Sequence, residues 1–435
     1  MESTFTERAG SLVRQTWRAF KEESLAFWLL CIYLIFEYNK PQTVYPFLAV
    51  LPWGKVLLGS CFFFSFTDRK ALPPPVLAVL PMLAFSVAVL LSTMTAYSSA
   101  ISINHWIDFF SWVFVVLLIT RVLTTKTRML LFLITYFLVN IKMAQHGFFS
   151  WMSRGFSFTG WGVSGSPGWF QNSGEFSMEM GVFLPLALSY IVVFRHTWPR
   201  PLKVALYIIV VMAIGSIMAC NSRGGIVGLA AVGLWGLMYS RERVKAFICL
   251  AAVAYIVYTF LPPQFKARFE TAGEDRTSVS RIAYWNCGVQ AVKENPLTGV
   301  GFRNWGPWAS DNHPEIIGLN SSDKQIEVIH NTYLEAATEL GGIGILVYLA
   351  LQLQIFVLNR RNAKRASLAG DRFAEATAIG FTGSLFAYMV SSYFMSVLYY
   401  PYIWILFALT VSLTHICDAS PEKGGFWDIP EVAKC

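Results

Sequence analysis

Between Phe265 and Leu340 stand three polar runs: Asp275-Arg276-Thr277-Ser278-Val279-Ser280-Arg281, Asn295-Pro296-Leu297-Thr298-Gly299-Val300-Gly301 and His330-Asn331-Thr332-Tyr333-Leu334-Glu335. The rest of the 435-residue chain is mostly apolar. It is 55% hydrophobic and 14% charged, where a soluble protein carries about a quarter charged residues. Its apolar runs of roughly 18–25 residues are long enough to cross about 30 Å of hydrocarbon. A polar insert between such runs has to lie outside the lipid, because its backbone groups could not be satisfied within it. The sequence therefore predicts an all-α polytopic membrane protein. It forms a single transmembrane domain over 1–435, with one large loop containing short helices, 262–328, between the ninth and tenth spans.

Twelve candidate spans can be marked, at 25–37, 43–66, 74–95, 106–120, 128–141, 175–194, 203–219, 224–239, 245–261, 329–358, 373–394 and 400–416. With the N-terminus inside, every short inner loop is basic: Arg69 and Lys70, then Arg121, Lys126 and Arg128, then Arg241, Arg243 and Lys245. That is the distribution the positive-inside rule requires. Both termini are then cytoplasmic and 262–328 faces outwards, to the periplasm of a bacterial inner membrane. The net charge of +8 is used in orienting the spans, and no nucleic acid is implied. Residues 1–24 set Leu12, Val13, Trp17 and Phe20 against Arg8, Arg14, Arg18 and Lys21, a helix suited to the inner membrane surface rather than a cleaved signal. Cys31, Cys61, Cys220, Cys249, Cys287, Cys417 and Cys435 form no C-x-x-C pair. They read as small apolar residues, with neither a metal site nor a disulfide framework indicated.

Two outer segments are long. Residues 142–174 are rich in Gly and aromatics, among them Trp161 and Trp169. They suit either an interfacial aromatic belt or a re-entrant platform against sugar or isoprenoid, with Gln171, Asn172 and Glu175 as hydrogen-bonding groups. In 262–328, Thr277, Ser278 and Ser280 are candidate caps for a helix starting near Arg281. Ile282, Trp285, Val289 and Val292 give that helix one apolar face. Pro296 ends it, and Gly299 and Gly301 turn the chain. The tenth span, about 30 residues or roughly 45 Å, either projects outwards or breaks at Gly341-Gly342.

The same topology brings Arg223, Arg281 and His330 to the outer face. Each has a plain structural alternative: Arg223 as a snorkelling side chain, Arg281 as the partner of Glu274 or Asp275, His330 as an interfacial histidine. Together they suggest chemistry. Arginine matches phosphate oxygens in a bidentate manner, a helix N-terminus favours anions, and a neutral imidazole accepts a proton near neutral pH. The set fits attack of a hydroxyl on a carbon whose leaving group is a diphosphate. There is no D-x-D pair, and with two guanidiniums a metal need not be invoked.

Arg223 in N-S-R-G-G, R-x-x-x-W at Arg281–Trp285, N-P-L-T-G-V-G-F at 295–302 and H-N-T-Y-L-E at 330–335 resemble, in this order, the motif series of the O-antigen ligase and polymerase family of membrane glycosyltransferases. The resemblance implies transfer of O-antigen glycan from undecaprenyl diphosphate to the terminal sugar of the lipid A–core oligosaccharide, at the outer leaflet of the inner membrane. It implies no metal, nucleotide or other cofactor, His330 as base, and Arg223 and Arg281 on the diphosphate. Asn331, Tyr333, Gln171, Asn172, Trp161 and Trp169 are candidates for orienting the imidazole or binding sugar. A single displacement would invert the anomeric carbon; a retaining route would need a carboxylate nucleophile, for which Glu327 and Asp275 are nearest. K-P-Q-T-V-Y-P-F at 40–47 resembles ligase-like proteins of protein glycosylation, so the acceptor could be a protein hydroxyl. The motifs also fit a polymerase, with a second lipid-linked glycan as acceptor, and the many spans also fit a transporter of lipid-linked sugar.

Overall fold

The computed structural model describes residues 13–158, 162–194, 200–240, 242–260, 266, 273–319 and 326–419. Among them every regular element is helical. The long helices are α1 (Leu25–Asn39), α2 (Trp53–Ser65), α3 (Val76–Met94), α4 (Trp106–Val122), α5 (Lys126–Ser153), α6 (Ser173–Phe194), α7 (Arg200–Ala219), α8 (Arg223–Tyr239), α9 (Arg243–Phe260), α10 (Arg276–Glu294), α11 (Trp305–Asn312), α12 (Thr332–Ala369), α13 (Arg372–Ser391) and α14 (Pro401–Asp418). Seven of them, α3, α5, α6, α7, α12, α14 and α13 with its 3-10 extension to Phe394, are long and apolar enough to cross a membrane. Starts are set locally: Ser24, Thr125, Ser222, Asp275, Asn331 and Asp371 each accept a backbone N–H of the first turn, which satisfies donors left orphaned at a helix N-terminus.

The bundle is centred on α13, which packs on α6, α8, α12 and α14. The α14 helix is buried from Pro401 to Leu413. Outward-facing residues such as Val211, Leu346 and Leu353 are apolar, the inverse of a soluble surface. At one end, buried Arg128 donates to Glu23 at 2.7 Å, Asp68 at 2.9 Å and the carbonyl of Val122 at 3.0 Å. Lys70 binds the other Glu23 oxygen at 2.8 Å. Two cations of the basic connections thus also join three segments, and removing one of Arg128's buried carboxylate partners would strand a charge.

The opposite end carries the loop. It has its own small core of Tyr284, Cys287, Ala291, Val300, Trp305, Trp308, Ile316 and Ile329. Its junction with the bundle is at α12, which is not one straight rod. Gly341 sits at φ 67°, ψ −165° and breaks it, the second of the two outcomes open from the sequence. Backbone from the loop fills the break. The N–H groups of Val300 and Gly301 donate to the carbonyls of Thr338 and Glu339 at 2.8 and 3.2 Å, and those of Gly342 and Ile343 donate to Pro296 and Leu297 at 2.8 and 3.2 Å. Ser92 adds a bond to the Glu339 carbonyl at 2.6 Å.

Three expectations change. The fifth helix runs on past 141 to Ser153, because Ser216 of α7 bonds the carbonyl of Ala144 and Gly147 and Gly215 allow close packing there; Lys142, Gln145 and His146 end the apolar run but not the helix. The stretch 43–66 is not one rod: Pro46 and Pro52 divide it into short turns and α2. The helix expected to start near Arg281 begins at Arg276, since Asp275 is its cap.

Gly341 occupies a region open almost only to glycine, and an added Cβ would lie 2.3 Å from the Leu297 carbonyl carbon. Gly341→Ala is expected to lower stability by roughly 3 kcal/mol or more, read as a clear drop in melting temperature in detergent. Gly236→Ala on α8, where nothing lies within 4 Å, should leave it almost unchanged.

Candidate active site

The site is assembled along one face of α10. Ser278, Arg281 and Trp285 are spaced i, i+3 and i+7, so they share that face. At its start Arg223, the first residue of α8, grips Asp275 with both terminal nitrogens, at 2.9 and 3.2 Å, and reaches Ser278 Oγ at 3.1 Å. Asp275 meanwhile caps α10 by accepting from Ser278 N. Arg223, first, holds its carboxyl well below the usual carboxylate range. At the far end Trp285 Nε1 donates to the Ile329 carbonyl at 3.0 Å, directly before His330.

Arg281 lies between these anchors. It is largely buried, makes no hydrogen bond or ion pair among the described residues, and its Nε is buried without a partner. Burial and then the neighbouring Arg223 lower its pKa, while Glu327 and Asp275 oppose them. A guanidinium keeps its charge regardless, so this is a cation held in place without a counter-ion in contact.

His330 stands one residue before the Asn331 cap of α12, with φ 58°. Its backbone N–H donates to Ser396 Oγ at 2.9 Å, and its Nε2 lies 3.4 Å from Glu327 Oε2. Burial, first, lowers its pKa; Glu327 pulls it up and Arg281 pushes it down. The neutral imidazole is therefore the favoured form near neutral pH.

The structure thus brings Arg223, Arg281 and His330 to one place, with Arg281 in the second turn of its helix. The other candidates fall around them. Asn331 Oδ1 is used as the cap, accepting from Tyr333 N and Leu334 N at 3.0 Å each. Tyr333 turns towards α13, its hydroxyl bonding the Met389 carbonyl at 3.0 Å. Asn172 forms a local turn with Gly174 N at 2.9 Å, and Gln171 is exposed. Trp169 bonds Glu37, meets Tyr400 edge-on at 4.8 Å and lies under Lys40 Nζ at 5.2 Å. Trp161 lies outside the described residues. The 142–174 stretch reaches the site through Phe158, whose carbonyl accepts from Asn221 at 3.1 Å beside Arg223.

Several residues take up roles at the site that the sequence does not show; Asp275, a possible partner for Arg281 by sequence, pairs with Arg223 instead. Asp275 is detectable as an Asp directly before a helical pattern, as good a cap as the Ser residues after it and better than Thr277. Glu327, three residues before His330, is a partner of the imidazole as well as a carboxylate near the site. The segment Ser392–Tyr400 has no local motif, yet Ser396 holds His330, Tyr393 meets Trp285 edge-on at 5.7 Å and Met395 lies against Gly224 and Gly174.

Residues 207–349 match the family described as O-Antigen ligase. The resemblance of the motif series to that family is shown by this match, which runs from α7 into α12 and contains Arg223, Arg281 and His330. A curated relative, the exopolysaccharide production protein ExoQ of Rhizobium meliloti (strain 1021), is 26% identical over 123 residues, which is 26% of this chain and 25% of ExoQ. The aligned stretch therefore spans about a quarter of that relative.

Asp275→Ala removes both the cap of α10 and the fork held by Arg223. A cap alone contributes about 1 kcal/mol. The change should loosen the loop, seen as faster proteolysis within 262–328. Asp275→Asn keeps a good cap and should retain most of the loop's protection.

Proposed function

We propose that this protein is an inverting glycosyltransferase that moves O-antigen glycan from undecaprenyl diphosphate to the terminal sugar of lipid A–core. The reaction takes place at the periplasmic face of a twelve-span inner-membrane protein and uses no metal or nucleotide. The observation that carries the reading is Arg281: a largely buried cation without a contact partner among the described residues, between a bidentate arginine site and a histidine that favours its neutral form. Such a cation suits a ligand that brings its own negative charge.

In this mechanism the acceptor hydroxyl gives its proton to the His330 imidazole. Its oxygen attacks the anomeric carbon from the face opposite the diphosphate. The bond from that carbon to the diphosphate oxygen breaks, and undecaprenyl diphosphate leaves with the electron pair. Arg281 stabilises the developing charge by paired N–H donation; Arg223 shares its fork between Asp275 and a phosphate oxygen. Glu327 orients the imidazole, and Ser396 fixes the backbone beneath it. One displacement gives inversion. A second reading keeps the donor and changes the acceptor to another lipid-linked glycan, making the protein a polymerase; similarity to a protein named for exopolysaccharide production favours it.

Two experiments test the assignment. Arg281→Lys keeps the charge and loses the fork. Loss of one such donor costs about 2–4 kcal/mol of barrier, by analogy with an oxyanion donor. Transfer should fall roughly 10²–10³-fold in single-turnover assays, and wild-type rates would return Arg281 to a structural role. His330→Gln should abolish transfer while donor binding persists; near-normal transfer would remove it as the base.

The pH profile supplies a third test. The acid limb should have its midpoint below the unperturbed histidine value of about 6.5, because burial disfavours the imidazolium. Glu327 favours the imidazolium, so Glu327→Gln should move the midpoint lower still. An upward shift would contradict the proposed pairing.

A further inference from the structure

The loop core contains a group that the reaction does not use. Cys287 of α10 is buried. His313, which ends α11, and Glu315, in the 3-10 turn Pro314–Ile316, come up against it. One ligand atom from each lies within 4.8 Å of the other two. His313 Nδ1 is 2.9 Å from Glu315 Oε1, and its Nε2 is buried with no hydrogen-bond partner. The imidazole lies against Trp308, ring centres 5.4 Å apart, while the Glu315 side chain is 66% exposed. No other group of three such residues gathers among the described residues. In the sequence Cys287 reads only as a small apolar residue, since its partners lie in another element.

We propose that Cys287, His313 and Glu315 bind one divalent zinc-like ion, with solvent in the fourth position. Thiolate, imidazole and carboxylate together suit Zn²⁺. Tetrahedral bonds of about 2.0–2.3 Å put ligand atoms roughly 3.3–3.7 Å apart, a spacing that ligand atoms lying within 4.8 Å of one another reach by small side-chain rotations. Binding releases the Cys287 proton, because the thiolate is the ligand, and takes His313 as neutral imidazole. The apolar wall of Trp308 and Ile316 covers the sulfur side, and exposed Glu315 gives the ion a way in.

The ion would be structural. Cys287 is two residues from Trp285, roughly 200° round the helix, so it lies away from the face that bears Arg281. Binding would pin α10 to the turn after α11 and thereby hold the helix that carries Arg281. It takes no part in transfer of the glycan.

The test uses the full-length, tag-free protein in detergent, stripped of metal and titrated with Co²⁺, then Zn²⁺. One equivalent of Co²⁺ should bind and give a near-ultraviolet thiolate-to-metal band, which one equivalent of Zn²⁺ removes. Cys287→Ser should lose the band. Glu315→Gln, an exposed change that leaves the fold intact, should weaken binding at least tenfold and leave the transfer rate unchanged. Absence of stoichiometric binding, a band that survives Cys287→Ser, or unchanged affinity in Glu315→Gln would each overturn the site.

Discussion

A helix interrupted within an apolar bundle leaves backbone groups that lipid cannot satisfy, and the break in α12 at Gly341 is such an interruption. The loop backbone from Pro296 to Gly301 supplies the missing donors and acceptors. Gly299 and Gly341 allow the two chains to approach this closely: a Cβ on Gly299 would lie 2.5 Å from the Thr338 carbonyl oxygen. Backbone groups freed by such a break and shut away from water are costly unless another part of the chain pairs with them. The same contact fixes the first turns of α12, and so the position of His330, relative to the loop that carries Arg281. Thr338 Oγ1 adds a longer bond to the Gly288 carbonyl at 3.4 Å, and Gly288 lies close to Leu334, which ties α10 to α12 along its length.

Around that junction the charges fall into two kinds. Arg223 and Arg128 are neutralised by carboxylates at hydrogen-bond distance and serve as connectors. Arg281 makes no hydrogen bond or ion pair among the described residues, and the nearby Glu327 and Asp275 do not outweigh its burial and the neighbouring Arg223. Arg303 is an intermediate case: it stacks on Tyr399 at 4.5 Å, its Nε has no partner, and Glu339 and Glu335 support its charge from nearby. Since an isolated buried charge is costly unless paired, the difference marks Arg281 as the cation with most to gain from an anionic ligand. Its placement depends on Asp275 at one end of α10 and on Trp285 at the other.

Much of this is legible in the sequence, for physical reasons. Apolar length marks a helix near each expected span, and the glycine pair at 341–342 marks the point where an overlong helix could break. The N-P-L-T-G-V-G run is readable as a turn, but not as the piece that completes α12, because that pairing depends on two backbones meeting across roughly 40 residues. Arg223, Arg281 and His330 stand out as polar residues in an apolar chain. Their partners do not: Ser396 and Tyr393 follow α13 with no motif of their own, and the Asp275–Arg223 fork joins residues 52 apart. Helix limits fail where packing overrides composition, as in α5, whose polar 142–146 stretch continues helical against α7.

The reaction we propose at this polar end joins a diphosphate-linked glycan to an acceptor by direct displacement. The most direct measurement offers purified protein, in detergent and without any gradient, an undecaprenyl-diphosphate glycan together with lipid A–core, a second lipid-linked glycan, or a serine-containing peptide. The account predicts one product, an inverted anomeric linkage and one undecaprenyl diphosphate released per glycan transferred. Retained configuration would contradict the single displacement, and absence of any joined product with all three acceptors would contradict the assignment itself.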